Sequence, residues 1–236
     1  MPGSGMTILT VVPTRIELNA FLKACLAQGY HPEPLVVGGI SSTYFPGLAT
    51  TVALGGLGKI RFMLQTQHLI AEGDWDLVIC AGAAGALVPG ITTGDVVVAT
   101  ETVDYDIRDN YVSPQLSRFR TSEGILDKFR QALQFGSTFR VYYGPIACTD
   151  VFFIAGNQRI ALQKRTDALV VAMEGAGGAR ACQIKGIPFI EIRVVTDQAN
   201  ILSLFDFLLH LNMAMKNLAQ VVISLSSGVA ANSISR

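Results

Sequence analysis

Three acids in this chain stand just beyond apolar runs that read as buried strands. Glu174 follows LVVAM, Asp197 closes FIEIRVVT, and Glu17 comes shortly after MTILTVV. A carboxylate at the end of a strand can act on a ligand. Glu17 could take a proton from water, and Asp197 could deliver one if burial keeps its carboxyl neutral at pH 7. Glu174, opening a helix, could accept both hydrogen bonds of a vicinal diol. Glu191 and Arg193 add an acid and a base to the same segment, VVAMEGAGGARACQIKGIPFIEIRVVTDQAN. An arginine among apolar residues needs a carboxylate partner, and a regular strand would put Glu191, Arg193 and Asp197 on one face. Each acid also has a structural reading. Thr14 and Glu17 have the spacing of a capping box. An acid in a first helical turn suits the helix dipole, and aspartate at a strand end suits a turn or an N-cap. Taken singly the two readings balance. Three acids after three separate strands read as a site.

Strands and helices must alternate to position them. MTILTVV at 6–12 predicts a strand, followed by a helix from Thr14 to Gln28 with apolar residues at Ile16, Ala20, Leu22 and Leu26. PLVVGGI and ATTVALGG predict a pair of strands, Gly58 to Ala71 a helix, DLVICAGAA a central strand and GDVVVATETV another. The polar stretch 104–120, with Pro114, is expected to be a long surface loop. A helix near 121–134, a strand near 138–148 and a helix near 156–165 follow. DALVVAM is the next strand, 174–185 a helix, PFIEIRVVT a strand and 203–226 a closing helix. The pattern predicts one α/β domain over 1–236, with helices on both faces of a central mixed sheet. Residues 1–5 are expected to be flexible. In such sheets ligands sit at the carboxyl ends of the strands, where the three acids lie.

Composition narrows the function. The chain has 236 residues, 50% hydrophobic and 15% charged, with zero net charge. A charge content below the usual level of about 25% suggests a surface partly covered by another subunit. Neutrality points to neither nucleic acid nor an anionic membrane. The mean hydropathy of +0.42 is high, but Asp206, His210 and Lys216 interrupt the most apolar tail, so no membrane span is expected. Cys25, Cys80, Cys148 and Cys182 are scattered, as free thiols of a cytoplasmic protein would be. His31, His68 and His210 are isolated, and no metal site is expected. ALGGLGKI has Ala53 and Ile60 where a phosphate-binding P-loop needs Gly and Ser or Thr. It reads as a tight strand-to-helix turn or as a place where backbone approaches a ligand. CAGAAGAL, with Gly82 and Ala83, is a second such turn.

VAMEGAGGARAC followed by GIPFIEIRVVTDQAN resembles the signature of the nucleoside phosphorylase/nucleosidase superfamily, most of all its 5′-methylthioadenosine/S-adenosylhomocysteine nucleosidases. The likeness extends over nearly the whole chain, through VVPTRIELNAF, LGGLGKI, ICAGAAGALVPGITTGDVVVATETVDYDIRD and CTDVFFIAG. It implies a nucleoside phosphorylase-like fold and hydrolysis of the N-glycosidic bond of a purine nucleoside, without a cofactor. Position by position it implies that Glu17 activates water and that Met173 and Glu174 bind the ribose with Arg193 nearby. Phe152 or the adjacent Phe153 would stack on the purine, and Asp197 would protonate it. Gly82 and Ala83 would supply pocket backbone. It also implies a homodimer. Ala81, Ala83, Tyr105 and Gly178 depart from the family pattern and alter the pocket wall, which leaves the 5′-substituent open. PFIEIR also resembles the futalosine hydrolases. A futalosine-type hydrolase, a phosphate-dependent purine nucleoside phosphorylase and a catalytically silent nucleoside-binding protein are the alternatives.

Overall fold

The computed structural model describes residues 6–108, 115–133, 138–151, 156–199 and 203–232. Residues 1–5, expected to be flexible, lie outside them. The first strand, β1 (Ile8–Val12), shows how the architecture follows from the sequence. All five residues are buried. Ile8 and Val12 face one core cluster and Leu9 and Val11 another, as the period of two in a strand requires. A strand apolar on both faces must carry helices on both. On the Ile8 side α1 (Arg15–Ala27) packs against the long terminal helix, which runs from Ser203 to Asn232.

After α1 come β2 (Glu33–Val37), β3 (Ile40–Phe45), β4 (Thr50–Leu54) and α2 (Lys59–Ala71). Then follow β5 (Leu77–Ala86), β6 (Val96–Arg108), β7 (Leu116–Arg120), α3 (Glu123–Ala132), β8 (Val141–Cys148) and α4 (Asn157–Thr166). Next are β9 (Val170–Ala172), α5 (Gly175–Lys185) and β10 (Phe189–Asp197), and the terminal helix is α6. The sheet has ten strands and mixed pairing. β1 pairs in parallel with β4 and β5. β10 pairs with both β5 and β6. With β8 and β9 completing the circuit, one half of the sheet curls into a closed ring, and β1 to β4 extend from it. The helices α2 and α5 pack together on the face opposite α1 and α6. This is the α/β architecture that the alternation predicts.

CAGAAGAL, expected to be a turn, is strand as far as Ala86, within β5. Two further expectations change. PLVVGGI and ATTVALGG do not pair with each other. β3 lies between them and pairs with both β2 and β4. Gly38 and Gly39, both at positive φ, form the two-residue hairpin turn between Val37 and Ile40. β3 escaped notice because ISSTYF is polar. The second change is at 104–120. β6 continues through Asp104 to Arg108, and β7 returns antiparallel to it, with 109–114 outside the described residues. The polarity that suggested a loop has another cause. Asp104 and Asp106 are strand residues whose charges meet Lys59 at the start of α2, at 2.9 and 2.7 Å.

Candidate active site

The carboxyl ends of β1, β5, β9 and β10 surround a cavity of about 230 Å³. Most of its wall is hydrocarbon, including Pro13, Leu57, Val151, Val171, Leu204 and Phe207. The polar wall is Thr14, Glu17, Glu174, Thr196 and Asp197, so all three predicted acids meet there.

Glu17 reaches the cavity from α1 while also capping that helix. Its Oε2 accepts from the Thr14 backbone N–H at 3.0 Å, and the Thr14 hydroxyl accepts from the Glu17 N–H, so the capping box is complete. Its Oε1 accepts from the Ala83 N–H of β5 at 2.9 Å. The structural and chemical readings of Glu17 therefore describe one geometry. The helix start fixes the side chain, and β5 aims it. Burial raises the Glu17 pKa, with the bonds from Ala83 and Thr14 pulling the other way.

Glu174 is the N-cap residue of α5 but caps nothing with its side chain. Its carboxylate instead accepts from the Gly58 N–H at 3.2 Å and from Arg193 Nη2 at 3.1 Å. The glycine turn before α2 thus brings backbone to an acid. Burial pushes the Glu174 carboxyl up to about 7; Arg193 opposes that rise, and Glu17 and Glu191 add to it.

Arg193 is fully buried. Its Nε donates to Glu191 at 2.7 Å, its Nη1 to the Ala83 carbonyl at 3.3 Å, and its Nη2 also meets Cys80 Sγ at 3.2 Å. Glu191 is equally buried and accepts a second bond from the Thr102 hydroxyl at 2.6 Å. One guanidinium therefore serves Glu174 and Glu191 directly, with Glu17 close by.

Asp197 is 8% exposed. Its oxygens accept from the Ala199 N–H at 2.9 Å and the Thr196 hydroxyl at 2.8 Å. The pairing of β10 with β5 slips between Val195 and Asp197, so Asp197 stands opposite Gly85. The regular alternation that would put Asp197 on the face of Glu191 and Arg193 does not carry past this irregularity, which turns the acid into the cavity.

Of the other sequence-predicted residues, Met173 and Ala83 line the cavity. Gly82 and Arg193 do not; they lie behind its wall. A side chain at Gly82 would come within 2.6 Å of Arg193 Nη1, so Gly82 makes room for the arginine rather than for a ligand. Phe152 and Phe153 lie outside the described residues. The sequence reading passed over Leu204 and Phe207 at the start of α6, and Thr196 and Ala199 around the acid. A hydrophobic helix end gives no sign that it covers a cavity. The adjacency of Thr196 to Asp197 was the one available signal.

This chain belongs to the phosphorylase superfamily, whose family model matches residues 8–227. Within that class its likeness is to nucleosidases. It is 27% identical to a 5′-methylthioadenosine/S-adenosylhomocysteine nucleosidase of Baumannia cicadellinicola subsp. Homalodisca coagulata, over 78% of this chain and 86% of the relative. The solved nucleosidase of the same name from Neisseria meningitidis, in complex with methylthio-immucillin-A, superposes with a TM-score of 0.82 at 26% identity, covering 94% of this chain and 98% of that one. Futalosine hydrolase of Helicobacter pylori shares the fold, with a TM-score of 0.80 at 24% identity over 93% and 97% of the two chains.

Proposed function

We propose that the protein is a purine nucleosidase that hydrolyses the N-glycosidic bond of a 5′-methylthioadenosine- or S-adenosylhomocysteine-like nucleoside and releases the free base. The observation that carries this reading is the convergence of Glu17, Glu174 and Asp197 on one largely apolar cavity. Breaking the bond leaves a cationic sugar, and it goes faster when the departing base is protonated. Asp197 supplies that proton. Glu174 accepts the ribose hydroxyls beside Met173, and Arg193 acts on the sugar through Glu174. The negative charge of the carboxylates favours the cationic sugar in a site with little water. Glu17 takes the proton of the attacking water, a task suited to a carboxylate whose basicity burial has raised. Phe152 or Phe153 stacks on the base.

Water is favoured over phosphate because, among the described residues, no lysine or arginine lines the cavity. A phosphate dianion there would face carboxylates without a cation. The reading includes a homodimer. Leu57 and Val151 at the cavity, and Ile60 and Leu64 along α2, are exposed apolar side chains that a second copy would cover. The four cysteines are free and buried, which suits a reducing cytoplasm. Among the described residues, no helix is long and apolar enough to cross a membrane.

The test is release of adenine from methylthioadenosine by the wild type and by Asp197→Asn. The variant should fold normally and lose roughly 10²-fold or more in kcat, the scale of a missing general acid. Turnover near that of the wild type would remove Asp197 from the mechanism.

A further inference from the structure

Glu191 is left without a task by the reaction just described, yet it is fully buried and makes two short hydrogen bonds. A fourth carboxylate under a site that already holds three is costly to bury, because its charge loses water and meets like charges. Its place is also sterically reserved. A side-chain carbon at Gly175 would fall 1.9 Å from the Glu191 carboxylate, so α5 can begin where it does only with glycine there. The Thr102 hydroxyl from β6 donates to the oxygen nearest that carbon, Oε2, and Arg193 Nε to the other. Three elements are thus arranged around one acid that does not line the cavity.

We infer that Glu191 is a positioning residue for the proposed hydrolysis. It grips Arg193 by Nε, turning the guanidinium so that Nη2 meets Glu174 and Nη1 meets the Ala83 carbonyl, and by taking part of that cation's charge it leaves Glu174 basic enough to hold the sugar hydroxyls firmly. The geometry supports both parts. Nε and Nη2 of the same planar group point to different carboxylates. The planar fork of arginine lets one contact fix the direction of the others. The Ala83 carbonyl that Arg193 holds belongs to the residue whose N–H aims Glu17, so the grip on Arg193 extends to the proposed base. The groups facing Glu174 are Arg193, Glu17 and Glu191, with the Cys80 and Cys148 thiols also within electrostatic reach. Glu191 is the one of the three carboxylates that touches no substrate.

The inference rests on the nucleosidase reading, and the experiment separates the two. Adenine release from methylthioadenosine is measured across pH for the wild type, Glu191→Gln and Glu191→Ala, with the melting temperature of each. Glutamine can still accept from Arg193 Nε and donate to the Thr102 oxygen, so Glu191→Gln should fold and keep the grip while removing the charge. The acid limb of its kcat/KM profile should then move to lower pH, because the coupled carboxylates lose one like charge. Glu191→Ala frees the guanidinium and should lose roughly tenfold or more in kcat/KM, the scale seen when an outer partner of a site residue is removed. Glutamine should recover much of that loss. As a structural control, Gly175→Ala should be far less harmful combined with Glu191→Ala than alone. An active wild type whose acid limb stays in place in Glu191→Gln, with both variants losing activity only in step with melting temperature, would overturn the positioning role alone. A wild type that releases no purine from any nucleoside would overturn the nucleosidase reading, and the role with it.

Discussion

Two places in this molecule gather acids around one cation, and they differ in nearly every other respect. At the start of α2, Lys59 Nζ lies 2.9 Å from Asp104, 2.7 Å from Asp106 and 3.7 Å from Asp150. Behind the cavity, Arg193 meets Glu174 and Glu191, with Glu17 nearby. Solvent separates the two. The Asp106 and Asp150 side chains are 32% and 52% exposed, whereas the acids around Arg193 are 4% exposed or less. At Asp106 burial is outweighed by Lys59, the Asp150 N–H and the Thr149 hydroxyl, and the pKa falls. At Glu17 and Glu174 burial wins and the pKa rises. Acids gathered around a cation therefore make a clamped brace in one place and a set of basic carboxylates in the other. A strained balance of charge is what a reacting site uses.

If that contrast is right, substitutions in the two places should fail differently. Glu17→Gln keeps a group able to cap α1. It should melt within about 1 kcal/mol of the wild type while losing roughly 10²-fold or more in kcat. Lys59→Met should do the reverse in kind. Taking the cation from buried Asp104 should cost about 3 kcal/mol of stability, read as a lower melting temperature, with a smaller effect on turnover at a temperature where the variant is folded. A Lys59 variant of normal stability and abolished turnover would erase the distinction between brace and site.

A smaller effect sharpens the contrast through pH. The Glu174 pKa rises from 4.5 to about 7 on folding. The fold therefore prefers the protonated acid, and the associated stability is present in full below 4.5 and lost as pH rises through about 7. Glu174→Gln removes that loss. Its melting temperature relative to the wild type should rise between pH 5 and pH 8, by a few degrees, in thermal scans. A relative melting temperature that stays level over the same interval would mean that Arg193 compensates Glu174 fully.

The sequence made the site more legible than the sheet around it. Glu17, Glu174 and Asp197 stood out because carboxylates after apolar strands are conspicuous, and the structure brings them to one cavity. β3 and β7 did not stand out. β3 is a polar strand on the outer part of the sheet, and β7 follows aspartates whose partner, Lys59, is far away in sequence. Pairing of that kind depends on tertiary contacts that local pattern does not encode. The turn of Asp197 into the cavity was hidden for a similar reason, since it depends on a slip in strand pairing between Val195 and Asp197 that alternation cannot foresee. Gly175 and Gly82 read as small residues of a helix and a turn. Their meaning, space for Glu191 and Arg193, is visible only when the strands are side by side.

The measurement closest to the centre of the account is the identity of the sugar product as phosphate is varied. Methylthioadenosine is supplied to the purified protein with phosphate absent and then in increasing amounts, and the sugar is identified by mass spectrometry. A cavity lined by carboxylates, with no cation on its wall among the described residues, should release adenine and the free methylthioribose at a rate independent of phosphate. A rate that climbs in proportion to phosphate, with methylthioribose 1-phosphate as product, would contradict the account and make the protein a phosphorylase.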